Sequence, residues 1–241
     1  DGPHGCAVPS PVQALSPDVG DTELGPVPGG WKLQPVEVGA RTFELVLPAD
    51  VDLFLSAPAV LEANRRDDYM PYWCYLWPAA LEFAHELEHA PWPPGTEVLE
   101  LGCGVGLVGL AALARGLHVT MSDYDPAAVA CALENAARNG YRETADGLLL
   151  DWRSPPARQF PVILGCDLLY EARNHAPLLD LLESMLAPGG VCWLADPGRS
   201  HAAAFVRSAI DRGFRVSIRG SAGRLVGSPE LGRFQIFVLD R

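Results

Sequence analysis

The chain lacks any apolar run approaching the ~20 residues of a membrane-spanning helix, although 49% of its residues are hydrophobic. That apolar content is therefore available for a sizeable core. Basic residues are also scarce: 18 Lys and Arg against 30 Asp and Glu give a formal net charge of −12. Such a balance argues against general nucleic-acid binding, which needs a basic face. It is compatible with a basic protein substrate or with simple solubility. The six cysteines (Cys6, Cys74, Cys103, Cys131, Cys166 and Cys192) include no CxxC pair and no His partner at ligand spacing. Reduced thiols in a cytosol-like compartment are expected, and no metal site. The six histidines stand apart, with no partner that marks one as a base. The N-terminus carries no Met and no basic region followed by an apolar one, so no secretory leader is expected there. A cytoplasmic monomer without membrane or nucleic-acid partners is the expectation.

The 241 residues fit one large α/β domain with a small N-terminal addition. Residues 1–30, rich in Pro and Gly, are expected to form a flexible tail. Trp31 to Val38 and Arg41 to Leu47 alternate in part across Val38-Gly39-Ala40, which predicts a β-hairpin. Val51 to Arg66 is expected to be helical, with a capped restart at Ser56 and Pro58. The run Pro71-Tyr72-Trp73-Cys74-Tyr75-Leu76-Trp77-Pro78 then leads into a helix reaching Glu88. Its aromatics either pack that helix onto a sheet or wall a pocket.

From Thr96 onward strands and helices alternate. Strands are predicted at Glu97 to Leu101, Val119 to Asp123, Gly147 to Asp151, Phe160 to Cys166 and Val191 to Ala195. Helices are predicted at Val105 to Arg115, Pro126 to Asn139, Asn174 to Leu186 and Ser200 to Arg212. Phe214 to Arg219 and Arg233 to Leu239 complete the pattern as two last strands. The alternation predicts a mostly parallel sheet covered on both faces, with residues 31–95 as an extension and 96–241 as the main domain. Ligands in such sheets gather at the C-terminal strand ends. Four acids fall at that edge: Asp123, Asp151, Asp167 and Asp196.

The chain is organised around Glu97-Val98-Leu99-Glu100-Leu101-Gly102-Cys103-Gly104-Val105-Gly106-Leu107, a strand, a glycine-rich turn and a helix start. Gly104-Val105-Gly106-Leu107-Val108-Gly109 formally matches the dinucleotide fingerprint, with Asp123 at the expected distance beyond it. Alone, that match permits a nicotinamide or flavin enzyme. Glu100, however, places an acid just before the turn, where a pyrophosphate would be repelled and a cationic, phosphate-free ligand would not.

These residues resemble motif I of the seven-strand (class I) methyltransferases, which use S-adenosyl-L-methionine. The resemblance spans roughly residues 31–241. It implies a Rossmann-like sheet, mostly parallel, closed by a C-terminal antiparallel strand. It also implies that the backbone of Gly102, Gly104 and Gly106 approaches the methionine part of the cofactor, alongside Glu100. By the same resemblance, Asp123 holds the ribose hydroxyls, Tyr124 beside it belongs to the cofactor site, and Asp151 with Trp152 flanks adenine, the acid accepting from its exocyclic amine. Asp167-Leu168-Leu169-Tyr170 resembles the (Asp/Glu)-x-x-(Tyr/Phe) signature of the protein lysine methyltransferases within that superfamily. Leu76-Trp77-Pro78 is similar to an element of the same subgroup in which the Trp borders the cofactor. Asp196-Pro197-Gly198-Arg199 is similar to the segment after strand five in the methyltransferase of the electron-transfer flavoprotein β-subunit.

Methyl transfer from a sulfonium is an in-line displacement that needs a neutral amine, so positioning carries much of the catalysis. Asp167 and Tyr170 are the catalytic candidates, holding the incoming nitrogen; Asp167 is equally placed to bind the cofactor's ammonium. Arg199 either reaches a substrate carboxylate or closes its helix. The expected activity is methylation of a lysine side chain in a protein. The alternatives are methylation of a small-molecule amine or other nucleophile, a nicotinamide oxidoreductase, and a module that binds the cofactor without catalysis.

Overall fold

The computed structural model describes residues 24–220 and 223–241. Most of the expected tail, with Cys6, lies outside the described residues. Leu24 and Val27 pack against the core, and the Trp31 indole donates to the Gly25 carbonyl at 3.0 Å.

β1 (Trp31–Val38) and β2 (Arg41–Pro48) form the expected antiparallel hairpin as a separate two-stranded sheet. The helical stretch that follows divides into α1 (Val51–Leu55) and α2 (Pro58–Asp67). Pro58 explains the division: it lacks an N–H to continue a helix and favours the first helical position. Ser56 closes α1 rather than opening α2, with its hydroxyl on the Asp52 carbonyl at 2.7 Å. α3 (Pro78–Leu87) begins on another proline.

The main sheet then alternates with helices: β3 (Glu97–Leu101), α4 (Leu107–Ala114), β4 (His118–Asp123), α5 (Pro126–Arg138), β5 (Ala145–Leu149), β6 (Phe160–Cys166), α6 (His175–Met185), β7 (Leu186–Asp196) and α7 (Ala202–Asp211). β8 (Arg215–Gly220), β9 (Leu225–Val226) and β10 (Gln235–Asp240) complete it. The order across the sheet is β5-β4-β3-β6-β7-β10-β8-β9. Strands β3 to β7 run parallel, and β10 is antiparallel to both of its neighbours.

Successive residues of a strand face opposite sides, and both sides here are covered. Val98 faces α3, α4 and α5, whereas Leu99 and Leu101 face α6 and α7. Val98, Leu99 and Leu101 are apolar for that reason, and Glu100 is the buried exception. The chain enters the sheet at β3, proceeds outward through β4 and β5, then resumes on the other side of β3 with β6 and β7. The order reverses between β3 and β6, and the crevice beyond their C-terminal ends is the natural ligand position.

The hairpin is tied to this sheet through α5. Fully buried Asn135 accepts from the Val46 N–H (2.7 Å) and donates to the Val46 (3.2 Å) and Val105 (2.9 Å) carbonyls. One turn further, Asn139 accepts from Glu44 N–H (3.0 Å) and donates to its carbonyl (2.9 Å).

Several boundaries differ from expectation. α4 starts at Leu107, because Gly106 adopts φ 87°, a left-handed conformation. The third strand ends at Leu149, so Asp151 lies in the loop beyond it. β7 begins at Leu186, immediately where α6 stops. Among the described residues, no helix is long and apolar enough to cross a membrane.

Candidate functional site

A cavity of about 670 Å³ opens in that crevice. Its floor is the glycine turn. Gly102 (φ 61°) and Gly104 (φ 52°) both line it in left-handed conformations. A Cβ on Gly102 would come within 2.7 Å of Leu168, which also lines the cavity. The Gly104 N–H donates to Asp123 Oδ2 at 3.2 Å. Asp123, the last residue of β4, is 6% exposed. Burial pushes its carboxyl up to about 6, against the lowering effect of the Asp125 and Gly104 N–H groups. Neighbouring Tyr124 and Trp152 line the cavity. Asp151 does too, but it is exposed and accepts from Arg153 N–H at 2.9 Å.

The same cavity is lined by Asp167, Tyr170 and Trp77. Asp167 follows β6 with φ 57°, and its N–H donates to the Ala195 carbonyl of β7 at 2.8 Å. The Tyr170 ring meets Tyr72 edge to face at 6.0 Å. Its hydroxyl is pushed up to about 12, by burial first and then by Glu171, and stays protonated. The Trp77 indole donates to the Tyr72 carbonyl at 3.0 Å.

Glu100 and Gly106 are not brought to the cavity. Gly106 lies against α5, where a Cβ would meet Ala132 Cα at 3.0 Å; its glycine serves helix packing. Glu100 is 3% exposed and lies under α4, next to Gly109. Burial pushes its carboxyl up to about 8, and the Gly109 N–H, which hydrogen-bonds it, lowers it only in part. A carboxyl therefore already occupies one of the free N–H groups at the start of α4. A dinucleotide would place its pyrophosphate on such groups. Glu100 thus takes one of these N–H groups, while its raised carboxyl carries little charge near neutrality with which to repel a phosphate.

The segment between α2 and α3 contributes more than its aromatic spacing indicates. Tyr69 and Met70 line the cavity beside Tyr72. The Tyr69 hydroxyl donates to Asp125, the N-cap of α5, and the Tyr124 hydroxyl donates to the Met70 carbonyl at 3.2 Å. Asp68 pairs with Arg173 at 2.6 Å across the mouth. These links join positions far apart in the chain, and no local motif signals them. Arg199 was the least defined candidate. Its Nε donates to Asp167 Oδ1 (2.8 Å) and its Nη2 to Oδ2 (2.7 Å).

A family model described as lysine methyltransferase matches residues 74–208. The chain belongs to the lysine methyltransferase family. Members of this family use S-adenosyl-L-methionine, as the resemblance of motif I implied. The protein N-lysine methyltransferase METTL21A of Danio rerio is 31% identical over 156 residues, covering 59% of this chain and 71% of the relative. The ribosomal protein L11 methyltransferase of Xanthomonas campestris pv. campestris is 31% identical over 170 residues, covering 66% and 51%. The chain spans about half the length, or less, of the L11 methyltransferases it matches. The crystal structure of the ribosomal protein L11 methylase from Lactobacillus delbrueckii subsp. bulgaricus superposes with a TM-score of 0.55 at 21% identity, covering 69% of this chain and 80% of that one. The TehB-like SAM-dependent methyltransferase from Corynebacterium glutamicum gives 0.55 at 19% identity, covering 66% and 87%. At those identities the likeness is one of fold, and it matches the expected Rossmann-like methyltransferase sheet.

Proposed function

We propose that this chain transfers the methyl group of S-adenosyl-L-methionine to a lysine side chain of a protein, with residues 96–241 as the catalytic domain and 31–95 as an extension. One observation carries this reading. A single cavity is lined together by the glycine turn, Asp123, Asp167 and Tyr170.

The residues fit the cofactor. Asp123 is a buried acceptor that lines the cavity, suited to ribose hydroxyls, and Tyr124 lines it beside Asp123. Asp151 can accept from the adenine amine while Trp152 flanks the ring. Gly102 and Gly104 leave space where a Cβ would intrude. Trp77 also lines the cavity. When bound, the cofactor supplies an electrophilic methyl on a positively charged sulfur. The protein's part is to hold a neutral amine in line with that methyl and to keep water away. The Tyr170 hydroxyl and the Asp167 carboxylate are the polar groups placed to orient it.

Two measurements test the proposal. S-adenosylhomocysteine is expected to raise the melting midpoint and NAD to leave it unchanged, because only a ligand of the native state stabilises. With labelled cofactor and a cell extract, label is expected in protein at lysine. Label confined to the low-mass fraction would mean a small-molecule amine instead.

A further inference from the structure

Asp167 is the acid expected to meet the target amine, yet it is not a free anion. Its carboxylate is 7% exposed, and Arg199 takes both oxygens in a bidentate pair at 2.8 and 2.7 Å. The pair is built, not incidental. Asp196, at the end of β7, accepts from the N–H groups of Gly198 and Arg199, each at 2.7 Å. Gly198 (φ 91°) is pressed so closely that a Cβ would lie 2.3 Å from the Gly232 N–H group's nitrogen. The start of the Arg199 side chain is thereby fixed. Its guanidinium carbon stands 6.0 Å from the centre of the Trp77 ring. The cation thus sits between two residues that line the cavity. The other ionisable groups facing the pair are Tyr170, from the loop after β6, Cys166 at the end of β6, and Asp196.

The chemistry makes this pairing significant. A free lysine amine has a pKa near ~10.4, so about one in a thousand is neutral near pH 7.4. An unpaired carboxylate beside it would stabilise the ammonium, which is no nucleophile. A guanidinium beside it disfavours the ammonium. A carboxylate has about four lone-pair sites, so Asp167 can hold Arg199 and still accept from an amine N–H.

We propose that Arg199 is a positioning residue that holds Asp167 as half of a neutral ion pair, so that the target lysine is received as an amine and not stored as an ammonium. This rests on the lysine-methylation reading above. The lysine first gives one proton to water. Its nitrogen lone pair then forms the N–C bond as the C–S bond breaks, and that bond's electrons stay on sulfur. The methylated nitrogen, now positive, later sheds a proton to water.

The test is the pH dependence of kcat, which reports groups in the enzyme–substrate complex. In Arg199→Gln the rising limb is expected to move alkaline by about one pH unit or more, a roughly tenfold loss on the limb that is recovered at high pH. Arg199→Lys keeps the charge and should keep the wild-type limb. Asp167→Asn combined with Arg199→Gln removes both charges and should move the limb back toward wild type, whatever the absolute rate. An equal loss at every pH in Arg199→Gln, or an alkaline limb in Arg199→Lys, would overturn the proposal. Should Arg199→Gln not fold, the Lys variant and the double variant decide alone. If the wild-type protein labels no protein lysine, the broader reading has failed; if it does and the limb does not move, only this inference has.

Discussion

Two buried acids at the glycine turn have separate tasks. Asp123 faces the cavity, and Asp123→Asn should weaken S-adenosylhomocysteine binding about 10- to 100-fold, the loss of a hydrogen bond to a charged group. Isothermal titration calorimetry measures it directly. Glu100 faces α4 and affects folding instead. Its carboxyl titrates at about 8 in the folded chain and near ~4.3 when unfolded. The folded state therefore binds the extra proton between those values. Stability is fully present below the lower value and is lost as pH rises through the upper one. The melting midpoint should fall on going from about pH 5 to pH 9, and Glu100→Gln should flatten that decline. The flattening will be partial, since Asp123 and Asp196 are also raised by burial and contribute with the same sign. A Gln variant with the wild-type slope would show that another group dominates.

Elements were legible where a single stretch carried its own signal. β3 announced itself as an apolar run before glycines, α5 by Pro126 at its start, and the hairpin by alternation around Gly39. The β5 boundary was less legible, because acids end turns as readily as strands and Asp151 belongs to the turn. What stayed hidden were side-chain partners distant in sequence: Arg199 with Asp167, Arg173 with Asp68, Tyr69 with Asp125. Spacing reports the face of an element, not what the opposite element places there. The orientation of Glu100 is of this kind, since its strand position fits the cavity side or the α4 side equally. Asn135 is another, a polar residue on an otherwise apolar face of α5. Asn135→Ala should leave Val46 and Val105 backbone groups buried and unpaired, at about 1–3 kcal/mol for each group that water does not reach. The melting midpoint should drop by several degrees, roughly 2–4 °C for each kcal/mol in a domain of this size. Cofactor affinity should weaken less than in Asp123→Asn.

At the scale of the whole molecule, the cavity is closed by pieces of chain that are remote from one another. It is lined by the 66–77 segment, the turn after β3, the loop after β5 and the loop after β6. A ligand filling it bridges all four. Hydrogen exchange followed by mass spectrometry should therefore show S-adenosylhomocysteine slowing exchange in residues 68–73 and 102–104 together, with little change in β8 and β10. Protection of the glycine turn alone would mean that the segment between α2 and α3 does not contact the ligand.

The asparagine pair on α5 has one more consequence. Two residues along a strand advance about 6.8 Å, and four along a helix about 6 Å. Val46 and Glu44 can therefore be met in step by Asn135 and Asn139, a side-chain imitation of a neighbouring strand that fits for a single repeat. The edge of β2 that would otherwise accept a strand from another molecule is closed at these two residues. That edge of the hairpin is thereby guarded against edge-to-edge association at these positions, by a helix and two amides.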